Sequence, residues 1–570
     1  MARFQENYKT LKHALNDVYR VDELKSLAKQ ISKKIPPRKA EIVDHITAIL
    51  FKDLGNIVAS LDTMAVKALA EAVHNWNGVF NTQQFHAKYG ALPITKSTGY
   101  RGETHLFYLF FVNGKIPADL MTKLEKEIKA PEPEQLNYGD LADTQDLTVR
   151  ETAHAACMNL NILLTMVAEN KIRVSPKTGR ATAATIKNIS TALCDGDFYD
   201  DDKIGPLQAF AWPLLLQGGG LASIDGNFLK LTRAGTKALK NDLAGGIKTI
   251  WTKWEKTKII DEYAQVTAVK GQRAAKGRTM TSPVHRRPVI NDALRCLEPG
   301  RWITVDEMAR FMVSENYTFE MTNYDWKLYF GDPHYGHLDY YDTWPILQLR
   351  YLLIYFLEYC ATSGLLDVAY KSPYDARTEF QSCWGADDEP FLSMCDGLMQ
   401  IRLNDLGAFV LGLSTEYGTL DAHDFELDDT DILYQGSGTP SPDHSLYLDK
   451  IAEQKEAGKW HISLTSLLNA VKAGETLKEI KRYINQITSE KIGQPLKTLF
   501  EKVENRSTAV VEKGKVTLLE CHGEIRKQIL TDKKLKSLCL PAGKRHLVIL
   551  PEKEAPFARA LETLGFIIGN

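Results

Sequence analysis

Cysteine is scarce: the 570 residues contain 8, and no two stand in a C-x-x-C pair. That scatter excludes a disulfide framework and a zinc ribbon, and predicts reduced thiols in an intracellular, cytoplasmic protein. Long apolar runs are missing too. The longest obvious one, Leu106–Val112, falls far short of the roughly 20 residues that span a bilayer, so no membrane partner is expected. The first residues, Met1-Ala-Arg-Phe-Gln-Glu-Asn7, lack the apolar core of a secretory leader. A phosphate loop is also absent. The pairs Gly114-Lys115, Gly458-Lys459, Gly514-Lys515 and Gly543-Lys544 are followed by Ile116, Trp460, Val516 and Arg545, so no hydroxyl is placed for magnesium. Asp387-Asp-Glu-Pro390 departs from the acidic motif of ATP-driven motors, and Gly218-Gly-Gly220 lacks dinucleotide-binding spacing. Neither G-x-S-x-G nor H-E-x-x-H occurs. No cofactor and no catalytic residue is predicted. The nearest approach to a metal site is Asp332-Pro-His-Tyr-Gly-His-Leu-Asp339, with two histidines among carboxylates. Set among Trp326, Tyr329, Tyr340 and Trp344, it reads better as an aromatic turn, and no metal is expected.

What is present is core-forming sequence with sorted charge. Hydrophobic residues make up 44% and charged residues 25%, an ordinary globular balance, and the length sets a prior of about four domains. The net charge is only −2, yet Gly246–Arg287 carries 10 Lys/Arg against 3 acids, Gln381–Lys450 carries 2 against 14, and Ile451–Asn570 carries 21 against 14. Alternating blocks of this kind point to polyanion binding or to contacts between the blocks.

Residues 1–55 read as a small helical module. Leu24, Leu27, Ala28 and Ile31 form one helical stripe, and Ile42, Val43, Ile46 and Ile49 a second, separated by Ser32-Lys-Lys-Ile-Pro-Pro37. Two short helices about a basic loop resemble a SAP-type nucleic-acid-binding motif, which implies phosphate contacts from Lys33, Lys34, Arg38 and Lys39. The loop lacks the usual glycine. Residues 56–145 continue helix-rich, with a strand-like run at 106–112.

Residues 146–245 give the order helix, short strand, turn, helix and hairpin. The pieces are Leu160–Ala168, Asn170–Val174, Ser175–Gly179, Thr182–Leu193 and the Asp225-Gly226 turn. This is the order of a winged-helix fold. The hairpin and its following helix recur: Leu229–Leu239 aligns without gaps on Ile401–Leu411, with Thr232 and Asn404 as helix caps and Gly235 and Gly407 early in the helix. Residues 289–420 therefore read as a second winged-helix-like unit. Between the two, residues 246–288 read as an exposed basic linker, with no acid from Tyr263 through Asn291. Residues 421–450 read as an acidic flexible linker, and 451–570 as a separate module of helices and strands.

In that last module, Ile462-Ser-Leu, then Ala473-Gly-Glu-Thr-Leu477, then a strand pair and Leu564-Gly-Phe, resembles the accessory domain beside the motor of XPB-type helicases. A similar domain occurs in standalone bacterial helicase-associated proteins, and the elements around Lys171–Ser175, Trp212-Pro-Leu-Leu and Leu403–Gly407 resemble the winged-helix portion of those proteins. The resemblance implies a predominantly helical α+β chain of tandem winged-helix-like modules with a C-terminal α/β accessory domain. It also implies a non-catalytic protein working with DNA or with a helicase or other protein partner. Read as DNA contacts, Lys177, Arg180 and Lys187 lie at or on a candidate recognition helix, and Arg273, Lys276, Arg278, Arg286 and Arg287 add phosphate contacts from the linker. The alternatives are a protein-binding scaffold without DNA contact and, third, a metal-dependent enzyme.

Overall fold

The computed structural model describes residues 8–93, 105–142, 146–274, 277–417, 424–436, 440, 442–488, 491–509 and 514–569. The chain is α+β, mostly helical, with small antiparallel sheets. It divides into two units, residues 1–419 with 441–443, and residues 420–440 with 444–570.

In the first unit, the amphipathic stripes of Val21–Ile31 and Lys39–Lys52 form helices as the spacing predicts. They do not close a core of their own. Leu15, Leu27 and Ile46 share one core with Leu69, Leu109 and Leu124. The Leu11 N–H donates to Asp119 at 2.8 Å, and the Tyr19 hydroxyl to the Tyr108 carbonyl at 2.6 Å. A boundary near residue 55 therefore cuts through a single hydrophobic body. The 106–112 run is a 3-10 turn, Leu106–Leu109, rather than a strand. Its apolar residues are continuous rather than alternating, and all but Tyr108 are buried, which suits an enclosed turn better than a sheet edge.

Two further stretches repeat one succession. The first has the helix Ala153–Ala168, a bridge at Arg173, the helices Ala183–Ala192 and Gln208–Gly218, the hairpin Ala222–Asp225 with Phe228–Leu231, and the helix Arg233–Asn241. The second begins with the helix Pro283–Leu294, the strand Trp302–Thr304 and the helix Val305–Ser314. A long buried helix follows, Gln348–Ile354, which widens into π-helix over Tyr355–Ala361. The strands Leu366–Tyr370 and Leu398–Leu403 and the helix Asp405–Leu411 close it. In both, the strand between the first two helices pairs with the second strand of the hairpin. The shared glycines have one cause. A Cβ on Gly235 would sit 2.1 Å from the Leu221 carbonyl oxygen, and one on Gly407 would sit 2.1 Å from that of Leu365. Each helix is pressed that closely against the start of its own hairpin, and Thr232 or Asn404 caps it by accepting the N–H of the same glycine.

The stretch 246–288 is not an exposed linker. It opens inside the helix Leu243–Trp254, whose Ile247, Ile250, Trp251 and Trp254 are buried. Trp251 lies 5.5 Å from Tyr355, and Trp254 stacks on Tyr359 at 5.0 Å. Within that helix Lys253 takes an outward position, and Lys256 and Lys258 follow exposed just beyond its end, so the basic composition masked an apolar stripe.

The second unit holds two cores. Phe425, Ile432, Trp460, Ile484 and Phe500 belong to one; Ile529, Leu547 and Phe557 belong to the other. The stretch 421–450 is not a flexible joint over its described part. Phe425–Asp428 and Asp431–Tyr434 form a hairpin with Phe425, Leu427 and Ile432 inward. The acids Glu426 and Asp428 fill the outward places of the alternation. Downstream, Leu477–Ile487 starts at Thr476 with a reciprocal Glu479 capping box. A three-stranded sheet follows, ordered Thr517–Glu520, His546–Ile549, Leu540–Ala542.

Candidate nucleic-acid interface

Ile172 and Val174 are buried and Arg173 between them is exposed, the alternation of a short strand. Arg173 pairs antiparallel with Phe228 of the hairpin, which brings the two side by side on the outer face. The same register brings Lys171 opposite Lys230. Ile224 and Phe228 remain exposed on the hairpin. The turn that follows is rigidly built. The Gly179 N–H donates to the Ser175 carbonyl at 2.8 Å, and the Ser175 N–H to the Arg180 carbonyl at 2.9 Å. Gln217, on the buried Gln208–Gly218 helix, donates to the Gly179 carbonyl at 2.8 Å and ties the turn to the core. Thr182 then caps Ala183–Ala192 by accepting the Thr185 N–H. That helix buries Thr185 and Ile189 and exposes Ala184, Lys187, Asn188 and Thr191.

From Lys171 to Lys187 there are five cations and no acid. Arg173, Lys177, Arg180 and Lys187 are exposed and make no ion pair among the described residues, while Lys171 is held 2.6 Å from Glu169 and Lys230 donates to Asn170. Strand, turn and helix thus carry one sign of charge along a continuous path, and their fields add. The helix contributes a partial positive end in the same place, since its N-terminus follows directly on Arg180.

The other candidate cations fall into three groups. Lys33, Lys34 and Arg38 are exposed on the N-terminal loop, whose Ser32 hydroxyl is held by His45 at 2.9 Å. Lys39 is drawn aside, its ammonium donating to the Asn16 carbonyl at 2.7 Å. Arg273 is exposed in a two-residue strand pairing with Arg278; Lys276 lies outside the described residues. Arg286 and Arg287 correct the expectation of phosphate contacts. Both are fully buried on Pro283–Leu294, Arg286 against Asp261 at 2.8 Å and Arg287 against Glu262 at 2.6 Å. The acid-free window starts at Tyr263, and their partners are the two residues just before it.

Beneath the surface lies a polar core unsuited to a ligand. Tyr351 donates to Glu262 at 2.9 Å, Gln265 to Glu358 at 2.7 Å, and Arg350 lies 3.2 Å from Asp396. Burial pushes the Glu358 carboxyl up to about 8, with the hydrogen bonds from Tyr359 and Gln265 opposing. A cleft of about 500 Å³ between Thr82–Tyr89 and Val305–Ser314 is lined by His86, Asp306, Arg310 and Trp344. Two of its charges are paired, Asp306 with Arg377 at 2.8 Å and Arg310 with Glu307 at 2.7 Å, and Asp342 accepts the Trp344 N–H at 3.1 Å. Among the described residues no three His, Cys, Asp or Glu side chains converge to hold a metal ion. His334 reaches only Asp332, at 3.4 Å.

Arg173, Lys230 and Phe228 escaped the sequence reading, although the buried-exposed-buried alternation at 172–174 was the available signal. Comparison of the chain with protein-family models and with curated proteins finds no match.

Proposed function

We propose that the chain is a non-catalytic nucleic-acid-binding adaptor that grips duplex DNA through the surface built on residues 171–230. The reading treats residues 153–241 and 283–411 as two winged-helix-like units. It is supported by one observation above the rest: four exposed, unpaired cations on a strand, turn and helix that the core holds in place. In winged helices the helix before the hairpin ordinarily enters the major groove. Here both such helices, Gln208–Gly218 and Gln348–Ala361, are enclosed, so the contact falls on Ala183–Ala192 and the hairpin instead. Lys177 and Arg180 meet phosphates at the helix start, Lys187 and Asn188 face the groove, and Arg173 and Lys230 engage the flanking backbone. Lys33, Lys34 and Arg38 supply a second, weaker contact. The C-terminal unit is assigned to a protein partner, such as a helicase motor, on its likeness to an accessory domain. The scarcity of cysteine, 8 in 570 residues with no C-x-x-C pair, fits a reducing, cytoplasmic setting.

The enclosure of both helices favours a second reading, a protein-binding scaffold that touches no nucleic acid. Equilibrium binding to a duplex oligonucleotide separates the two. Lys177→Glu, Arg180→Glu and Lys187→Glu combined are expected to weaken binding about tenfold or more, uniformly across sequences. Duplex affinity unchanged by this triple variant, with the fold intact by circular dichroism, removes the DNA reading.

A further inference from the structure

The second repeat is lengthened by two insertions, residues 315–347 before its buried helix where the first has 193–207, and 371–397 within its hairpin where the first has 226–227. They fold onto one another. The Phe330 N–H donates to the Gly336 carbonyl at 2.9 Å, the Leu338 N–H to the Leu328 carbonyl at 3.0 Å, and the Trp384 N–H to the Tyr341 hydroxyl at 3.0 Å. Leu328, Phe330, Leu338 and Phe380 are fully buried underneath. Above this floor large rings stand in solvent: Trp326 is 53% exposed, Tyr335 70%, Tyr340 71% and Trp384 49%. Tyr335 and Trp384 lie 5.7 Å apart, joining the two insertions. Held rigid at the surface, tryptophan and tyrosine are the side chains that dominate protein interfaces, because they bring much contact area at little entropic cost.

Charge selects the occupant. The first insertion carries six acids against Lys327, and the second six against Lys371 and Arg377. Several are used internally, but Asp325, Asp339, Asp387 and Asp388 make no ion pair among the described residues and flank the exposed rings. Nucleic acid, which also stacks on aromatic rings, is repelled by this charge. The ammonium of Lys327 lies 4.0 Å from the Tyr324 ring centre, so the surface already holds a cation on an aromatic face. We infer that the two insertions form a docking site for a lysine- and arginine-rich segment of a partner polypeptide, its cations seated on Trp384, Tyr335 and Trp326 and countered by the free aspartates. The site shares no residue with the basic surface at 171–230 and does not rest on the DNA reading.

Tryptophan emission of the full chain, titrated with a synthetic peptide of alternating lysine, arginine and serine, tests this. Controls are the same peptide with glutamate for each cation, and a single-stranded oligothymidylate. The basic peptide is expected to bind here, whereas any binding of the two polyanionic controls is expected to disappear in the Lys177→Glu, Arg180→Glu, Lys187→Glu variant and to be untouched by loss of Trp384. Tyr335→Ala with Trp384→Ala is expected to raise Kd about tenfold, since each cation–π contact contributes on the order of 0.5–1 kcal/mol. Asp387→Lys with Asp388→Lys acts in the same direction, and the triple variant at Lys177, Arg180 and Lys187 leaves Kd unchanged. Tyr340→Ala with Trp326→Ala serves as the second pair should the first fail to fold. The inference is overturned by an absence of peptide binding, by binding indifferent to loss of the rings, or by oligothymidylate binding that disappears with Trp384.

Discussion

Arg287 is surrounded: Glu262 accepts from its Nε at 2.6 Å, and the carbonyls of Trp254, Thr257 and Ile260 take three of its four remaining N–H groups. Its neighbour Arg286 lies 4.9 Å from the Tyr351 ring. Removing one member of a buried pair strands the other, so Arg287→Ala is expected to cost about 3–5 kcal/mol of stability by urea unfolding. A surface arginine would change stability by a few tenths, and that result would place Arg287 in solvent. Glu358 gives a pH signature. Its carboxyl is raised by burial from the ordinary range to about 8, so between roughly pH 4.5 and 8 the folded chain keeps a proton that the unfolded chain has released. Stability then falls as pH rises through that window, by at most about 1.4 kcal/mol per pH unit for one proton. Glu358→Gln is expected to flatten this slope and to raise the urea midpoint at pH 8; an unchanged slope would contradict the burial. Neither residue was legible in the sequence. A charge run is visible along the chain, but whether its members find partners depends on which strand or helix returns beside them, as Asp261 and Glu262 do here.

Among the elements, the helices that follow the two hairpins make the sharpest comparison. An alanine in a helix interior is ordinarily better than glycine by about 1 kcal/mol. At Gly235 and Gly407 the added Cβ meets a backbone carbonyl at 2.1 Å, which cannot swing aside. Gly407→Ala is therefore expected to destabilise by about 1–3 kcal/mol in thermal or urea unfolding, and the same sign holds for Gly235→Ala. A gain in stability would mean that the helix does not lie against its hairpin. These helices were readable because cap, glycine and apolar spacing agree, as they do at Thr476 and Leu477–Ile487. Gln208–Gly218 was not. Its Pro213 argues against a helix interior, and its side chains are apolar all round because both the Ala183–Ala192 helix and the Leu243–Trp254 helix pack on it. The hairpin of residues 425–434 was hidden differently, by four acids (Glu426, Asp428, Asp429 and Asp431) that outnumber its three inward apolar groups, Phe425, Leu427 and Ile432.

For the molecule as a whole, composition separated the surfaces more faithfully than it separated the domains. Over their described residues the two linkers inferred from charge are folded, and the boundary near residue 55 lies inside one core. Yet the cation run at 171–187 is exposed as a run, because strand alternation, a tight turn and a capped helix each direct their polar residues outward. The repeat carries a basic face in its first copy and an acidic, ring-bearing insertion in its second, which suits an adaptor that joins a polyanion to a cationic polypeptide. Counterion release provides the most direct test of the central claim, because each phosphate neutralised contributes about −0.9 to the slope of log K against log salt concentration. The four backbone-engaging cations of this surface, Arg173, Lys177, Arg180 and Lys230, predict a slope of about −3 to −4 for duplex DNA, falling to about −2 in the Lys177→Glu, Arg180→Glu, Lys187→Glu variant. A slope near zero, or one that the variant leaves unchanged, contradicts the account.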